Sequence, residues 1–216
     1  MTSARLISLN VGLPREVEWQ GRTVITGIFK APATRSIQLD ALNFNGDAQA
    51  DLTVHGGIDK AVYAYPVEHY QYWQNELREV DFTYGIFGEN LTISGFLESD
   101  VNIGDRFSLG STELIVTQPR MPCYKLGLRF NRPDMVKRFL DSQLTGFYLR
   151  VLKEGEVKAD DKLRLIDRDK HQVTVADITR LYVNKNQDLG LLQRAIEVEA
   201  LPTSWRDYFQ KRLKSD

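Results

Sequence analysis

Along the first two-thirds of the chain, apolar residues come in short runs instead of recurring at helical spacing. Leu6–Val11, Thr23–Phe29, Ser36–Leu42 and Ala61–Tyr65 carry β-branched or aromatic side chains and are separated by Gly, Pro, Asn and Asp, which predicts strands joined by turns. Asp105–Leu109 and Thr112–Thr117 flank Gly110-Ser111 and predict a hairpin. A second hairpin is expected between Gly146–Leu152 and Lys162–Ile166. Helical spacing interrupts this pattern twice. Pro66 can open a helix carrying Val67, Tyr70, Trp73 and Leu77, and Pro133 can open one carrying Met135, Val136, Phe139 and Leu140.

Beyond about residue 169 the period changes. Thr174 and Asp177 make a capping-box start before Ile178, Leu181 and Tyr182; Asp188 precedes Leu191, Leu192, Ala195 and Ile196; Thr203 precedes Trp205, Tyr208, Phe209 and Leu213. The expectation is a mainly β barrel or sandwich with a few helices over 1–169, followed by a small three-helix domain over 170–216. Three short helices bury little by themselves, so they should pack on one another and on the β domain.

Charge narrows the function classes. The 28 basic and 29 acidic residues nearly cancel, so the chain as a whole has no electrostatic pull on a nucleic-acid polymer or an anionic membrane. No apolar stretch reaches membrane-spanning length and the first residues lack a signal-peptide core, which points to a cytoplasmic protein. The single cysteine, Cys123, excludes an internal disulfide, a four-cysteine iron–sulfur site and the usual structural zinc pattern.

Three segments carry candidate chemistry. Gln118 to Arg132 holds four basic residues, no acid and the lone cysteine; cationic neighbours favour thiolate, the form that binds metal or attacks an electrophile. The bland alternative is a solvated basic loop with an incidental thiol. Gly46 to Val62 is a glycine-rich loop with Asp47, His55, Gly56, Gly57 and Lys60. Its glycines let backbone N–H groups approach an anion, and Lys60 adds a point charge, although His55 is as readily a structural hydrogen-bonder. Gly85 to Thr92 is a tight turn into a strand in which Asn90 can bond a heterocycle or simply hold the turn. The Asp177, Glu197 and Glu199 carboxylates read as a solvated face. No P-loop, Rossmann fingerprint, paired-carboxylate pattern or nucleophile elbow is present.

The order HGGIDKAVYAYP, FGENLT and IGDRFSLGSTELIVTQPRMPCYKLG resembles the MOSC domain family, in its YiiM-like branch, from about Leu9 to Ile166; Val173 to Leu213 resembles the three-helix domain of that branch. The resemblance implies a MOSC-type β-barrel and binding of the molybdenum cofactor, molybdopterin, with Cys123 as metal ligand. It further implies Lys60, Arg120 and Lys125 as contacts to the cofactor phosphate or its approach, His55 and Asn90 as lining of the pocket, His55 as the proton relay with Tyr124 or water as substitutes, and Lys30 as a further cation. The implied activity is reduction of N-hydroxylated compounds, detoxifying base analogues such as 6-N-hydroxylaminopurine, with electrons from an external reductase. That reductase would dock near Arg120, Lys125, Arg129 and Arg132 or on the three helices. A second reading from the same resemblance is a cofactor or sulfur carrier using Cys123.

Overall fold

The computed structural model describes residues 4–50, 56–184 and 188–214. The strands are β1 (Ala4–Val11), β2 (Arg15–Trp19), β3 (Arg22–Thr26), β4 (Ala31–Pro32), β5 (Ile37–Leu39), β6 (Val62–Pro66), β7 (Leu91–Ser94), β8 (Arg106–Leu109), β9 (Thr112–Pro119), β10 (Phe147–Lys153), β11 (Gly155–Val157) and β12 (Lys162–Asp167). The helices are α1 (Glu68–Glu76), α2 (Tyr124–Phe130), α3 (Met135–Ser142), α4 (Val175–Val183), α5 (Leu189–Glu197) and α6 (Thr203–Leu213).

Seven strands pair in the order β12-β8-β9-β10-β6-β7-β1, and β1 returns to β12 to close a barrel. All neighbours are antiparallel except β6 and β7, which are joined through α1 in the kind of crossover a parallel pair requires. The β8–β9 hairpin forms in the expected register, Leu109 opposite Thr112, with Gly110 at φ 56° in the turn. The second expected hairpin does not form. Its two strands exist, but β10 pairs with β9 and β6 while β12 pairs with β8 and β1. The intervening β11 leaves to pair with β5. Alternating apolar positions specify that a strand has a buried face, and both arrangements satisfy that requirement equally.

Leu6, Leu91, Ile93, Phe107, Leu114, Val116, Phe147 and Leu149 belong to the buried core of the barrel. This core runs without a break into Ile178, Leu181, Leu191, Leu192 and Phe209 of α4 to α6, so the three helices complete the barrel's core. Thr174 caps α4 with the expected reciprocal box to Asp177, and Asp188 caps α5 through the Leu191 N–H. Helix α6 differs: Pro202 takes the cap position and supplies no side-chain bond. A second core gathers Tyr65, Trp73, Phe87, Phe130 and Phe139 between β6 and α1 to α3. Trp73 stacks on Phe139 at 5.8 Å, and its Nε1–H donates to the Tyr65 hydroxyl at 2.7 Å, so the indole is buried with its one polar atom satisfied. This cluster anchors the helix that follows the cysteine.

Candidate functional site

Strand β9 delivers the cysteine. Pro119 pairs with Phe147, the Arg120 N–H donates to the Gly146 carbonyl at 3.3 Å, and the chain then turns through Met121 and Pro122 into α2. Cys123 stands at the cap of that helix in extended conformation and is partly exposed. Helix α2 was not expected from the sequence, because Gly127 breaks its short apolar period. The glycine permits the close: the Arg132 N–H donates to its carbonyl at 2.8 Å, and a Cβ there would come within 2.9 Å of the Arg132 oxygen.

Lys60 arrives from the facing side, on a 3-10 turn spanning Ile58–Lys60. The Asp59 carbonyl accepts from the Thr117 hydroxyl at 2.7 Å and the Gln118 amide at 3.4 Å, and the Asp59 carboxylate accepts from Arg150 Nε at 2.8 Å. The turn is thus fastened to β9 two residues upstream of Arg120. Between these walls lies a cleft of about 610 Å³ including its open mouth.

Six of the seven residues singled out in the sequence line this cleft together: Lys30, Lys60, Asn90, Arg120, Cys123 and Lys125. The seventh, His55, lies outside the described residues. Burial holds the Lys60 amine below the ordinary lysine value, while Asp59 and Cys123 oppose that shift. Lys60 and Arg120 both feel Cys123 electrostatically; by reciprocity their charge favours sulfur in its anionic form. Arg120 is buried to 5% exposure, its Nη1 has no hydrogen-bond partner among the described residues, and its guanidinium carbon lies 5.6 Å from the Tyr63 ring centre and 5.0 Å from that of Phe139. No carboxylate pairs with it among the described residues.

Lys30 and Asn90 are held differently. Asp47, buried beneath them, accepts from the Lys30 amine, from Asn90 Nδ2 at 2.8 Å and from the Gly12 N–H at 2.9 Å. Asn90 also donates to the Asn10 carbonyl at 3.3 Å and accepts from the Tyr63 N–H at 3.1 Å. Both amide protons are therefore used within the protein, and one acceptor lone pair is left for a ligand. Burial lowers the Lys30 amine, with Asp47 opposing.

The sequence reading passed over four residues. Asp47 and Glu89 stand inside the two quoted loops as acids among glycines, and that was the available signal. Glu89 is wholly buried and accepts from Tyr70 Oη at 2.5 Å, Gly85 N–H at 2.8 Å, Phe87 N–H at 3.0 Å and Thr92 Oγ1 at 3.0 Å. It shapes the turn whose Gly88, at φ 82°, lines the cleft. Tyr63 and Tyr148 also line it, and nothing but strand alternation marked them. Tyr148 is raised above the ordinary tyrosine value by burial, with Arg120 opposing and Cys123 adding to the rise; it remains a phenol at neutral pH. Tyr124, weighed from the sequence as a proton donor, is 54% exposed and does not line the cleft.

The four basic residues of the cysteine segment do not form one cationic surface. Arg120 is buried, Arg129 packs 5.0 Å from the Phe29 ring centre, and Arg132 is paired with Glu79 at 2.6 Å and Asp134 at 3.1 Å. Of the four, Arg120 and Lys125 line the cleft with Cys123.

With this geometry in place, the likeness to known proteins is informative. The MOSC domain model matches residues 51–164, and the model of the YiiM-like 3-alpha helix domain matches 173–216. The chain belongs to the MOSC family. It is 41% identical over 207 residues to the uncharacterized protein YflK of Bacillus subtilis, covering 96% of this chain and 93% of that one. The crystal structure of YiiM from Geobacillus stearothermophilus superposes with a TM-score of 0.81 at 34% identity, covering 97% and 99% of the two chains. A protein of Gibberella moniliformis named reductase is 31% identical over 198 residues; these cover 90% of this chain and about a third of that longer one, 35%. Barrel and three-helix segment together are therefore the YiiM-like form of the MOSC fold.

Proposed function

We propose that the protein is a molybdenum-cofactor-dependent reductase of N-hydroxylated compounds, acting on base analogues such as 6-N-hydroxylaminopurine. The observation that carries this reading is Cys123 in one cleft with Arg120, whose buried Nη1 lacks a partner among the described residues. A thiolate suits a metal already held by sulfur, and an orphaned guanidinium N–H suits a phosphate or another anionic group. The donor set fits the cofactor: Cys123 would bind the metal, and Arg120, Lys60 and Lys125 would hold the phosphate. Lys30 and Asn90, fixed by Asp47, would line the pocket. The family and the reductase-named relative support an oxidoreductase.

When bound, the cofactor supplies the two-electron removal of the hydroxyl oxygen, R–NHOH + 2e⁻ + 2H⁺ → R–NH2 + H2O. The chain's own part is orientation and proton supply. Arg120 and Lys60 hold anionic groups in a partly dry cleft where charge-assisted bonds are strong. Tyr148 places a phenol beside Cys123 and Arg120, and takes over from Tyr124 as the hydroxyl positioned to pass a proton; His55 stays in that role as a proposal from sequence. One cysteine holds no iron–sulfur cluster and no dinucleotide fingerprint is present, so the electrons come from a separate reductase. Among the described residues no helix is long and apolar enough to cross a membrane, in keeping with the proposed cytoplasmic setting, where a lone thiol stays reduced.

Cys123→Ser tests the reading. A hydroxyl is a poor substitute for a soft thiolate, so reduction of 6-N-hydroxylaminopurine should vanish. The fold should lose no more than about 1–2 kcal/mol. Full turnover in the variant, or sustained turnover by the purified wild type on NADPH alone, would overturn the ligand and donor assignments respectively. Persulfide on Cys123 with transfer to an acceptor, and no reduction, would favour the carrier.

A further inference from the structure

A second cleft, about 930 Å³ including its open mouth, lies between β9 and the start of α6. We infer that it is the seat of the planar heteroaromatic part of the substrate, opening on the Cys123 cleft across Lys60 and Tyr148. This inference rests on the reading of the Cys123 cleft as the cofactor site.

Continuity is the first argument. Lys60 and Tyr148 line both cavities, so the two share a wall. The large groove beside α1, lined by Val67, Gln71 and Phe82, shares no residue with either. With the Cys123 cleft given to a pterin, the non-reacting part of a substrate whose N-hydroxyl reaches the sulfur must extend into adjoining space. The second cleft is that space.

Its lining is the second argument. Pro119, Met121, Pro202 and Trp205 present flat or polarizable apolar surface, and Ser204 places a hydroxyl at the rim. Asp59, Lys60, Gln118 and Tyr148 add polar groups to the same wall. An aromatic face edged by donors and acceptors is what a purine-like ring needs: every base has a π-face that stacks on an indole, and a thioether packs well on an aromatic edge. At the α6 end of the seam between barrel and helices, Trp205 Nε1 donates to Gln118 Oε1 at 2.7 Å, and Gln118 in turn donates to the Asp59 carbonyl. That chain of bonds fixes the indole relative to the turn that carries Lys60. The three-helix segment thereby acquires a function in the site: it supplies the substrate-side wall.

The test uses the full chain without cofactor, titrated with adenine and with 6-N-hydroxylaminopurine. Tryptophan fluorescence and calorimetry are the readouts. Wild type should show saturable quenching, and Trp205→Phe should lose most of the quenching while still binding by calorimetry. Ser204→Phe, an exposed position on α6, narrows the cleft without disturbing a core and should weaken binding at least about tenfold. Ala50→Phe, which narrows the Cys123 cleft, should leave the affinity unchanged. Weakening by Ala50→Phe and not by Ser204→Phe would place the heterocycle beside the cysteine and overturn the inference, as would the lack of saturable binding to wild type. Failure of the cofactor reading shows separately, as absence of molybdenum and pterin from protein made in a cofactor-sufficient host.

Discussion

Two buried ionisable side chains, Glu89 and Arg120, are treated in opposite ways. Glu89 is surrounded by four donors from Tyr70, Gly85, Phe87 and Thr92, and Asn10 and Ser8 extend that network through Thr92 and one another. Arg120 has aromatic faces, a thiol and the Tyr148 hydroxyl, to which it is hydrogen-bonded, for neighbours, and among the described residues its Nη1 has no partner. A buried charge is stable only when satisfied. Glu89 is satisfied by the protein and so serves the fold. Arg120 is left for something else to satisfy, and so serves a ligand.

The contrast breaks most readily at Glu89. Glu89→Ala strands two buried backbone N–H groups and a phenol, and loss of a buried charged network of this kind costs about 3–5 kcal/mol. Denaturant unfolding should show that loss. A variant as stable as wild type would mean that the turn is held by something other than the carboxylate. Arg120→Met should do the reverse. Removing a buried cation with one unsatisfied nitrogen and filling its volume with an apolar chain, at the cost of its bond to Tyr148, should shift stability by no more than about 1–2 kcal/mol. Retention of pterin or of inorganic phosphate should fall by the value of a charge-assisted bond, about 1.5–3 kcal/mol or roughly ten- to hundredfold. Gel filtration with pterin assay and phosphate calorimetry measure this; unchanged binding would make Arg120 a structural cation.

This difference between the two groups also marks where sequence reasoning succeeds. Cys123, Lys60 and Arg120 were legible because a thiol among cations, a glycine-rich loop and their order along the chain survive as local pattern. The β8–β9 hairpin and the α4 and α5 caps were legible for the same reason. Asp47 was not, because its role exists only once the Gly12–Lys30 segment and the Gly85–Thr92 turn meet in space; Glu89 was not, because an acid in a glycine turn shows neither its burial nor the Tyr70 hydroxyl that comes from α1. The partners of β10 and β12 were hidden by the same cause: closure of the barrel, a long-range event, selects among pairings that local alternation leaves equal. The pairing of Arg132 was hidden in part because charge counted from Gln118 to Arg132 stops short of Asp134 and takes no account of Glu79, which the fold brings in from the turn after α1.

The pH dependence of stability sharpens the account of Glu89. Burial raises its carboxyl above the ordinary value although the four donors pull it down, and burial with Glu89 nearby keeps Tyr70 protonated as a donor. A carboxyl whose folded value exceeds its unfolded value, about 4.3, binds a proton more tightly in the native state. Stability from this group is complete below the unfolded value and is lost as pH rises from there through the folded value. Relative to Glu89→Gln, wild type should lose up to about 1.4 kcal/mol per pH unit across that window and then run level. Paired denaturation curves from acid to neutral pH measure it. Wild type gaining stability with pH against the variant would show that the donors outweigh burial.

The smallest effect belongs to Arg132, which on sequence alone ranks with Arg120 as part of one basic patch. Its guanidinium is already matched by Glu79 and Asp134, while Arg138 pairs with Asp134 and Glu76 on the same exposed face. Such surface pairs contribute little to stability and are screened by salt. A cation whose field is cancelled by adjacent carboxylates adds little to the potential met by an approaching acidic partner. Arg132→Ala should therefore leave the unfolding midpoint nearly unchanged. With an external reductase as electron donor, it should also leave the dependence of turnover on ionic strength at the wild-type slope. The comparison requires only two proteins, one reductase and a salt series. A shallower slope in the variant would return Arg132 to the docking surface and show that its ion pairs open when the partner arrives.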